Sequence, residues 1–366
     1  MTTPAQETSR TFGQSLWYDN VQRSALSDGS FAKLLQDGVL GCTSNPSIFH
    51  KAISGSKDYD VAFSNLVSEG KSTQEIYYDL VITDIQGAAD QLREIYDSTK
   101  CIDGYVSVEV LPKNSQNAEE TVKEGLWLRE RIDRPNVMIK VPATEAGYRA
   151  ITELTAHGVS VNATLIFSQA QYESVARAYL AGLSRAKENG HDLSRIASVA
   201  SFFVSRIDAH VDGLLDKSGP EELKSKIAIA NAKMAYQLFG DLFSEENFGD
   251  LSRAGAQKQR LLWASTGTKN PAYSDTLYLD SLIGPETVNT VPPATLAAFQ
   301  DHGKPQDSLT RDLEQAKAEL EALAKAGHSL GAVCKILLEE GLKSFSDSMD
   351  ALMAVIDERR QALAAE

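Results

Sequence analysis

The chain has 366 residues, and its hydrophobic share of 42% and charged share of 23% are ordinary for a globular protein in water. The net charge of −14 argues against nonspecific nucleic-acid binding, which needs a basic surface. No stretch has the length of a membrane span, and residues 1–14 lack the apolar centre of a signal peptide. We therefore expect a cytoplasmic protein without nucleic-acid or membrane partners.

Cysteines and histidines are few and scattered. Cys42, Cys101 and Cys334 are odd in number and far apart, which does not predict a disulfide framework or a thiolate zinc site. The six histidines never recur at a spacing of three or four residues, which is the spacing of metal ligands on one helix face. We expect neither a metal nor another cofactor, and the sequence does not predict an oligomeric state.

Short apolar runs recur along the chain, and a helical pattern follows each of them. Alternating strands and helices predict a parallel sheet, and eight repeats predict a (β/α)₈ TIM barrel. The eight predicted strands are Ser15–Asn20, Val39–Asn45, Tyr105–Val110, Val137–Ala143, Val159–Phe167, Ile196–Val204, Leu261–Thr266 and Val288–Pro292.

Three segments exceed what a minimal barrel needs. The connections Pro46–Gly104 and Ile207–Arg260 are long enough for extra helices. After the eighth strand, Asp307–Glu366 has helical spacing of leucines throughout, which predicts a helical C-terminal extension. We expect its apolar stripe to pack on the barrel, so that residues 1–366 form a single domain.

The run Val137–Ala143 contains one ammonium group, that of Lys140. Strand alternation puts Met138 and Lys140 on one face. A lysine near the end of a buried strand has two interpretations. It is either an ion-paired or partly extended structural lysine, or a Schiff-base lysine whose amine desolvation keeps partly unprotonated.

Other predicted strands also carry polar residues on one face, near their C-terminal ends. A parallel barrel buries both faces of its strands, so those strands are normally almost continuously apolar. Barrel enzymes place their active sites at the C-terminal ends of the strands. The convergence favours a catalytic site, and its members are Asp19, Asn45, Glu109, Lys140, Asn162, Thr164 and Ser201.

One lysine with two carboxylates, two amides and several hydroxyls suits carbonyl chemistry through an imine. The positive nitrogen of an imine on Lys140 is an electron sink for breaking the adjacent carbon–carbon bond. Glu109 can move protons through a water during imine formation, and Asp19 can act on a substrate hydroxyl. Asn45 and Asn162 can both donate and accept, which suits a polyhydroxylated chain.

A second cluster predicts phosphate binding. The segment Ser265–Asn270 follows the seventh strand and combines hydroxyl residues, a glycine and Lys269. Barrels frequently bind phosphate with the loops after strands seven and eight. Arg206, just beyond the sixth strand, can add bidentate contacts.

These motifs, in this order, resemble the transaldolase family over nearly the whole chain. Residues Trp263–Asp275 are similar to the longer bacterial branch of that family. The matching segments are Ser15-Leu-Trp-Tyr-Asp19, Thr43-Ser-Asn-Pro-Ser47, Val106-Ser-Val-Glu109, Ile139-Lys-Val-Pro-Ala-Thr144, Val161-Asn-Ala-Thr-Leu165 and Ser201-Phe-Phe-Val-Ser-Arg206.

The resemblance implies a reaction. Lys140 would form an imine with a ketose phosphate, Glu109 and Thr164 would position the water that relays protons, and Asp19 would act on the hydroxyl whose carbon bond breaks. A dihydroxyacetone unit would pass from sedoheptulose 7-phosphate to glyceraldehyde 3-phosphate, giving erythrose 4-phosphate and fructose 6-phosphate in the non-oxidative pentose phosphate pathway.

The resemblance also implies how sugar phosphates would bind. Asn45 and Asn162 would hold the dihydroxyacetone unit, and Ser201 and Arg206 would contact phosphate, with Ser265 and Lys269 as further partners. Lys269 stands where other branches often carry an arginine, so it departs from their pattern. The implied substrate-binding residues are Asn45, Asn162, Ser201, Phe203, Arg206, Ser265 and Lys269.

Three alternatives remain open. A fructose-6-phosphate aldolase shares the scaffold and the lysine but releases free dihydroxyacetone. Glu109 and Phe203 favour transfer, because the aldolase branch tends to carry Gln and Tyr there. A non-catalytic barrel scaffold would leave buried polar groups unused, at about 1–3 kcal/mol for each one left unpaired. The scattered histidines disfavour a metal-dependent aldolase.

Overall fold

Eight parallel strands close into a barrel in which each strand pairs with its neighbours in sequence, and the first pairs with the last. The computed structural model describes residues 2–364. The closed barrel confirms the predicted fold class. The strands are β1 Gln14–Tyr18, β2 Val39–Thr43, β3 Val106–Glu109, β4 Val137–Pro142, β5 Val161–Ile166, β6 Ser198–Phe203, β7 Arg260–Ala264 and β8 Thr287–Val291.

Sixteen α-helices surround the barrel or cover its ends. None of those within residues 2–364 combines the length and apolar composition needed to cross a bilayer. The helices are α1 Pro4–Phe12, α2 Arg23–Asp28, α3 Ser30–Gln36, α4 Pro46–Gly55, α5 Asp60–Ser68, α6 Thr73–Ser98, α7 Ala118–Ile132, α8 Glu145–Ala156, α9 Gln169–Glu188, α10 Ser205–Ser218, α11 Ile227–Leu242, α12 Glu245–Arg253, α13 Leu277–Ser281, α14 Pro293–His302, α15 Leu313–Lys325 and α16 Leu330–Ala364.

All eight predicted strands overlap observed strands, but several are shorter than predicted. The second strand ends at Thr43 instead of Asn45. Asn45 is the N-cap of α4, and its side chain accepts a hydrogen bond from the Ile48 backbone nitrogen at 3.0 Å. Capping uses an otherwise unpaired helix donor, so the chain leaves the sheet ladder at this residue.

The two long connections contain extra helices, as predicted. Helices α4, α5 and α6 lie between β2 and β3, and α10, α11 and α12 lie between β6 and β7. The first group begins at the carboxyl end of β2 and the second at that of β6. Each group therefore starts at the end of the barrel where the polar residues were predicted to meet.

The prediction of a tail that is helical throughout is wrong at two places. Residues 307–312 and 326–329 are not helical, and residues 365–366 lie outside the described part of the chain. In the first gap, Leu309 is fully buried and its backbone nitrogen donates to the Ile283 carbonyl at 3.0 Å, which ties the chain to the loop before β8. In the second gap, Gly327 has a φ of 88°, a left-handed conformation that ends α15.

The last helix, α16, crosses the carboxyl end of the barrel. Cys334 Sγ donates to the Phe167 carbonyl just after β5 at 3.1 Å, and the Ser348 and Ser47 hydroxyls are 2.7 Å apart. Further along, the Thr73 hydroxyl donates to Asp357 at 2.7 Å. The helix is thus attached to β5, α4 and α6, and it covers the end of the barrel at which the polar strand ends lie.

Candidate active site

A cavity of about 350 Å³ opens at the carboxyl end of the barrel, beneath α16. Eight of the predicted site residues line it: Asp19, Asn45, Lys140, Ser201, Phe203, Arg206, Ser265 and Lys269. A smaller cavity of about 240 Å³, with Arg129, Ser160 and His191 in its wall, lies at the opposite end. Lys140 therefore belongs to the cavity where barrel enzymes hold their substrates.

Lys140 lies inside the barrel between its two neighbouring strands. It pairs in register with Glu109 on β3 and with Asn162 on β5. Its Nζ donates to the Ser44 carbonyl at 3.2 Å and lies 3.9 Å from Glu109 Oε2. The Lys140 side chain is only 6% exposed, so one carbonyl and one carboxylate replace most of its hydration.

Glu109 is the least satisfied polar group near the lysine. Both carboxylate oxygens are buried and accept no hydrogen bond from any described residue. Burial raises the pKa of Glu109 from its usual 4.5 to about 7, against the opposing attraction of Lys140, and the Asp19 carboxylate adds to the rise. A carboxyl group with a pKa near neutrality can both donate and accept protons at neutral pH.

Asp19 follows β1 and is held by hydroxyls. The Thr43 hydroxyl donates to Asp19 Oδ1 at 2.8 Å, and it lies 2.6 Å from the Thr290 hydroxyl. Burial raises the pKa of Asp19, while Lys140 and the bond from Thr43 oppose the shift. The carboxylate faces the cavity from the side of β1, β2 and β8, with its orientation fixed by Thr43.

Three predicted residues, Glu109, Asn162 and Thr164, lie outside the cavity lining; Asn162 pairs with Lys140, and Thr164 lies two residues further along β5, opposite Pro142. Asn162 is fully buried, donates to the Ser107 hydroxyl at 3.0 Å and accepts from the Ser201 hydroxyl at 2.7 Å. Thr164 is also fully buried, and its hydroxyl has no hydrogen-bond partner among the described residues. These two bonds use one N–H and one oxygen lone pair of the Asn162 amide and fix its orientation.

Asn45, in contrast, presents its amide to the cavity. Its Oδ1 is used as the cap of α4, so the amide nitrogen is the group left to donate toward a ligand. A single residue therefore fixes the start of α4 and contributes a donor to the cavity wall.

The outer part of the cavity is basic. Lys51, Arg206 and Lys269 line it together with Lys140, whereas Asp19 is the only carboxylate among the described lining residues. The guanidinium of Arg206 lies 5.4 Å from the centre of the Phe203 ring, and burial lowers the pKa of Arg206. In a chain with a net charge of −14, this local excess of cations favours an anionic ligand.

Part of the hydroxyl-rich segment after β7 turns away from the cavity. The Thr266 hydroxyl donates to Asn289 Oδ1 at 2.9 Å, and the Thr268 hydroxyl donates to the Ser274 carbonyl at 2.7 Å. Ser265 and Lys269 remain in the lining. Ser265 has a φ of 56°, a left-handed conformation that is uncommon for a residue with a side chain.

Sequence reasoning missed several residues of the lining. Lys51 lies in the second turn of α4 and Thr290 near the end of β8, and neither stands out in the sequence as part of a motif. Phe345 comes from α16, and its ring centre lies 6.0 Å from Lys140 Nζ. Helical spacing of apolar residues was visible in the tail, but nothing in that pattern indicates which of them reaches the cavity.

This arrangement places an amine, one carboxyl group and an anion-binding rim around one cavity, with a second carboxyl group, that of Glu109, 3.9 Å behind the amine. Amine and carboxyl groups within about 4 Å can exchange protons directly or through one water. No group of three or more His, Cys, Asp or Glu within residues 2–364 is arranged to hold a metal ion. The side chains present are those required for nucleophilic attack on a carbonyl followed by proton transfer.

A family model described as Transaldolase/Fructose-6-phosphate aldolase matches residues 16–356. The chain belongs to this family. It is 45% identical over 357 residues to Transaldolase 2 of Streptomyces coelicolor, with 96% of each chain covered. It is 45% identical over 350 residues to a transaldolase of Saccharopolyspora erythraea, with 95% of each chain covered. It is 44% identical over 370 residues to one of Thermobifida fusca, with 100% of each chain covered.

The family match confirms the resemblance predicted from the strand-end motifs, and with it an enzyme of the transaldolase kind. The matched range reaches residue 356, so it includes the part of α16 that carries Phe345.

The raised pKa of Glu109 predicts a pH dependence of stability. The folded protein holds this proton more tightly than the unfolded chain does between pH 4.5 and about 7. The resulting stabilisation is present below pH 4.5 and is lost as the pH rises through about 7. Glu109→Gln keeps this side chain neutral at every pH. As the pH rises, the free energy of unfolding of the variant should therefore increase relative to that of wild type.

Urea unfolding at about pH 5 and about pH 8 measures this difference. Glu130→Gln replaces an exposed glutamate on α7 and serves as the control, with the same pH dependence as wild type. An equal change in unfolding free energy between the two pH values for wild type and Glu109→Gln would contradict the assignment.

Proposed function

We propose that this enzyme transfers a dihydroxyacetone unit between sugar phosphates through a Schiff base on Lys140. The donor would be sedoheptulose 7-phosphate and the acceptor glyceraldehyde 3-phosphate, giving erythrose 4-phosphate and fructose 6-phosphate. The observation that carries the proposal is the buried Lys140 amine, 3.9 Å from Glu109, at the base of a cavity with a basic rim. A cytoplasmic location stays a prediction.

Imine formation begins when Lys140 Nζ, as the free amine, attacks the ketone carbon of the donor. The carbonyl oxygen takes up protons and leaves as water, and Glu109 is the carboxyl group placed to supply and recover them. Its pKa of about 7 suits both directions of transfer. The Thr164 hydroxyl, which has no hydrogen-bond partner among the described residues, is available to hold the relaying water.

Carbon–carbon cleavage then needs a base for one hydroxyl. Asp19 accepts the proton of the hydroxyl on the carbon next to the bond that breaks, and the bond electrons move toward the imine nitrogen. The aldehyde product leaves and an enamine remains on Lys140. Raising the pKa of Asp19 by burial increases its strength as this base.

Transfer is completed by the reverse sequence with the acceptor. The enamine carbon attacks the acceptor aldehyde, Asp19 returns the proton to the new alkoxide, and water hydrolyses the imine to free Lys140. Asn45 donates its amide to the hydroxyls of the dihydroxyacetone unit, and Ser201 faces the same cavity. Asn162 supports this wall through its bond from Ser201.

The phosphate group lies at the basic rim in this proposal. Arg206 offers a planar pair of donors, and Lys269 and Ser265 approach from the loop after β7. Stacking of Arg206 against Phe203 holds the guanidinium in place without a carboxylate partner among the described residues. A phosphate would then supply the missing countercharge.

A fructose-6-phosphate aldolase is the second candidate, because the family description names that activity as well. It would use the same Lys140 imine but release free dihydroxyacetone. Glu109 and Phe203 favour transfer, and the apolar ring of Phe203 offers no proton to the enamine. A catalytically inactive scaffold is disfavoured by the buried Glu109 carboxylate, whose oxygens accept no hydrogen bond from the described residues and which would be costly to retain without a use.

Trapping of the imine tests the mechanism. Borohydride added together with fructose 6-phosphate should attach one reduced dihydroxyacetone unit to Lys140, detected by mass spectrometry of the digested protein. Lys140→Ala should abolish the adduct, whereas Lys51→Ala, which removes another lysine of the same cavity, should keep it. An adduct on any other lysine, or none, would refute the Schiff-base proposal.

Arg206→Gln tests phosphate recognition. Because a charge-assisted hydrogen bond contributes about 1.5–3 kcal/mol, KM for fructose 6-phosphate should rise by about 10–100-fold. KM for unphosphorylated fructose should stay unchanged, and steady-state kinetics with both sugars measures the contrast. Arg93→Gln, at an exposed arginine of α6, is the control. An equal rise with both sugars would assign Arg206 a structural role instead.

The fate of the dihydroxyacetone unit distinguishes the two candidate functions. Fructose 6-phosphate with erythrose 4-phosphate should give sedoheptulose 7-phosphate much faster than fructose 6-phosphate alone gives free dihydroxyacetone. Both products can be measured by chromatography in the same reaction. Release of dihydroxyacetone as fast as transfer would identify an aldolase.

A further inference from the structure

Phe345 of α16 is the aromatic residue that faces the reactive nitrogen from outside the barrel. It is 6% exposed and lines the cavity, with its ring centre 6.0 Å from Lys140 Nζ. The barrel strands supply the polar groups around Lys140, so this apolar surface comes from a different part of the fold. An imine formed on Lys140 would therefore lie beside a ring and not beside open solvent.

The position of Phe345 is fixed by contacts on both sides of it along α16. Before it, a side chain at Gly341 would place its Cβ 2.9 Å from Leu165 Cδ2, so glycine permits close approach to the end of β5. After it, the Ser348 hydroxyl lies 2.7 Å from that of Ser47 on α4. The helix cannot move away from the cavity without breaking one of these contacts.

A second apolar wall belongs to the barrel itself. Phe203 lines the cavity, and its ring centre lies 5.2 Å from that of Phe167. The polar wall, with Asp19 and Thr43, belongs to β1 and β2. The cavity thus offers proton-exchanging groups on one side, and hydrocarbon from β6 and α16 on others.

From this geometry we propose that Phe345 is a specificity-determining residue that limits the access of water to the dihydroxyacetone enamine on Lys140. The inference rests on the proposed transfer function and extends it to the tail helix. In this proposal α16 influences whether the enamine reacts with an acceptor aldehyde or takes a proton from water.

The chemistry gives the enamine two fates. In transfer, its carbon forms a bond with the aldehyde carbon, and the aldehyde oxygen takes a proton. In release, the same carbon takes a proton from water, and a second water hydrolyses the imine to dihydroxyacetone and the free Lys140 amine. An apolar ring beside the nitrogen excludes the water needed for release and provides no proton of its own.

Phe345→Ala tests this role through the ratio of products. In the presence of acceptor, the fraction of consumed fructose 6-phosphate that ends as free dihydroxyacetone should rise by about fivefold, as expected for a change of about 1 kcal/mol between two competing barriers. Borohydride trapping on Lys140 should persist, because the nucleophile is untouched. Phe345→Leu retains an apolar side chain of smaller area, so its fraction of free dihydroxyacetone should lie between those of wild type and Phe345→Ala.

Met349→Ala is the matched control. Met349 lies one turn further along α16, is also 6% exposed, and packs beside Leu111 and Pro112 outside the catalytic cavity. Met349→Ala should weaken the packing of α16 to a similar degree but keep the wild-type product ratio. An equal increase in both alanine variants would show that helix packing in general, and not the Phe345 ring, controls the ratio.

The remaining outcomes separate the inference from the function on which it rests. If wild type transfers and traps normally while folded Phe345→Ala keeps the wild-type ratio, the inference is wrong and the function stands. If Phe345→Ala does not fold, a wild-type ratio in Phe345→Leu overturns the inference instead. If wild type itself neither traps on Lys140 nor transfers, the proposed function fails.

Discussion

The structure of the site depends on keeping one ammonium group inside a closed barrel. Lys140 gains a carbonyl from Ser44 and a carboxylate from Glu109 in exchange for bulk water. Both partners come from strands or loops that barrel closure brings beside β4, and neither is near Lys140 in sequence. The cost of burying a charge is offset only by this geometry, so the reactive amine and the closed sheet depend on each other.

The polar interior divides into satisfied and unsatisfied groups. Ser107, Asn162 and Ser201 form a continuous row of hydrogen bonds across the barrel, which accounts for their burial. Glu109, beside Lys140, and Thr164, opposite Pro142, have oxygens without a hydrogen-bond partner within the described structure. Buried polar groups are normally paired, and exceptions in a folded protein require a reason. At Glu109 and Thr164, a substrate and its water would complete the missing hydrogen bonds.

Much of this site is predictable from the sequence because barrel geometry converts position along a strand into position in space. Polar residues at the ends of consecutive strands must meet if the sheet closes, which is why the strand pattern alone predicts that Asp19 and Lys140 share one cavity.

The same reasoning could not show that Asn162 is hydrogen-bonded to two serines, Ser107 and Ser201. Those partners lie on other strands, and hydrogen bonds across the barrel leave no pattern in the sequence of one strand. Lys51 was missed because the helical period of α4 identifies only its buried face, with Phe49 and Ile53, and Lys51 lies off that face. The break at residues 307–312 was missed because a buried Leu309 fits helical spacing equally well when it anchors an extended segment.

The contribution of α16 follows from an irregularity in β5. The pairing of β5 with β6 shifts between Ala163 and Ile166, and Leu165 adopts a φ of 60°. Such a conformation is costly for a branched side chain, and it persists only where surrounding contacts require it. Leu165 lies against Gly341 of α16, one turn before Phe345, and it follows Asn162, the in-register partner of Lys140, by three residues. The strained residue therefore joins the strand that supports the nucleophile to the helix that covers it, and the register of the barrel determines where the ring of Phe345 lies. A tail helix held in this way is part of the cavity's construction, since moving it would break its contact with Leu165 and open the apolar side of the site.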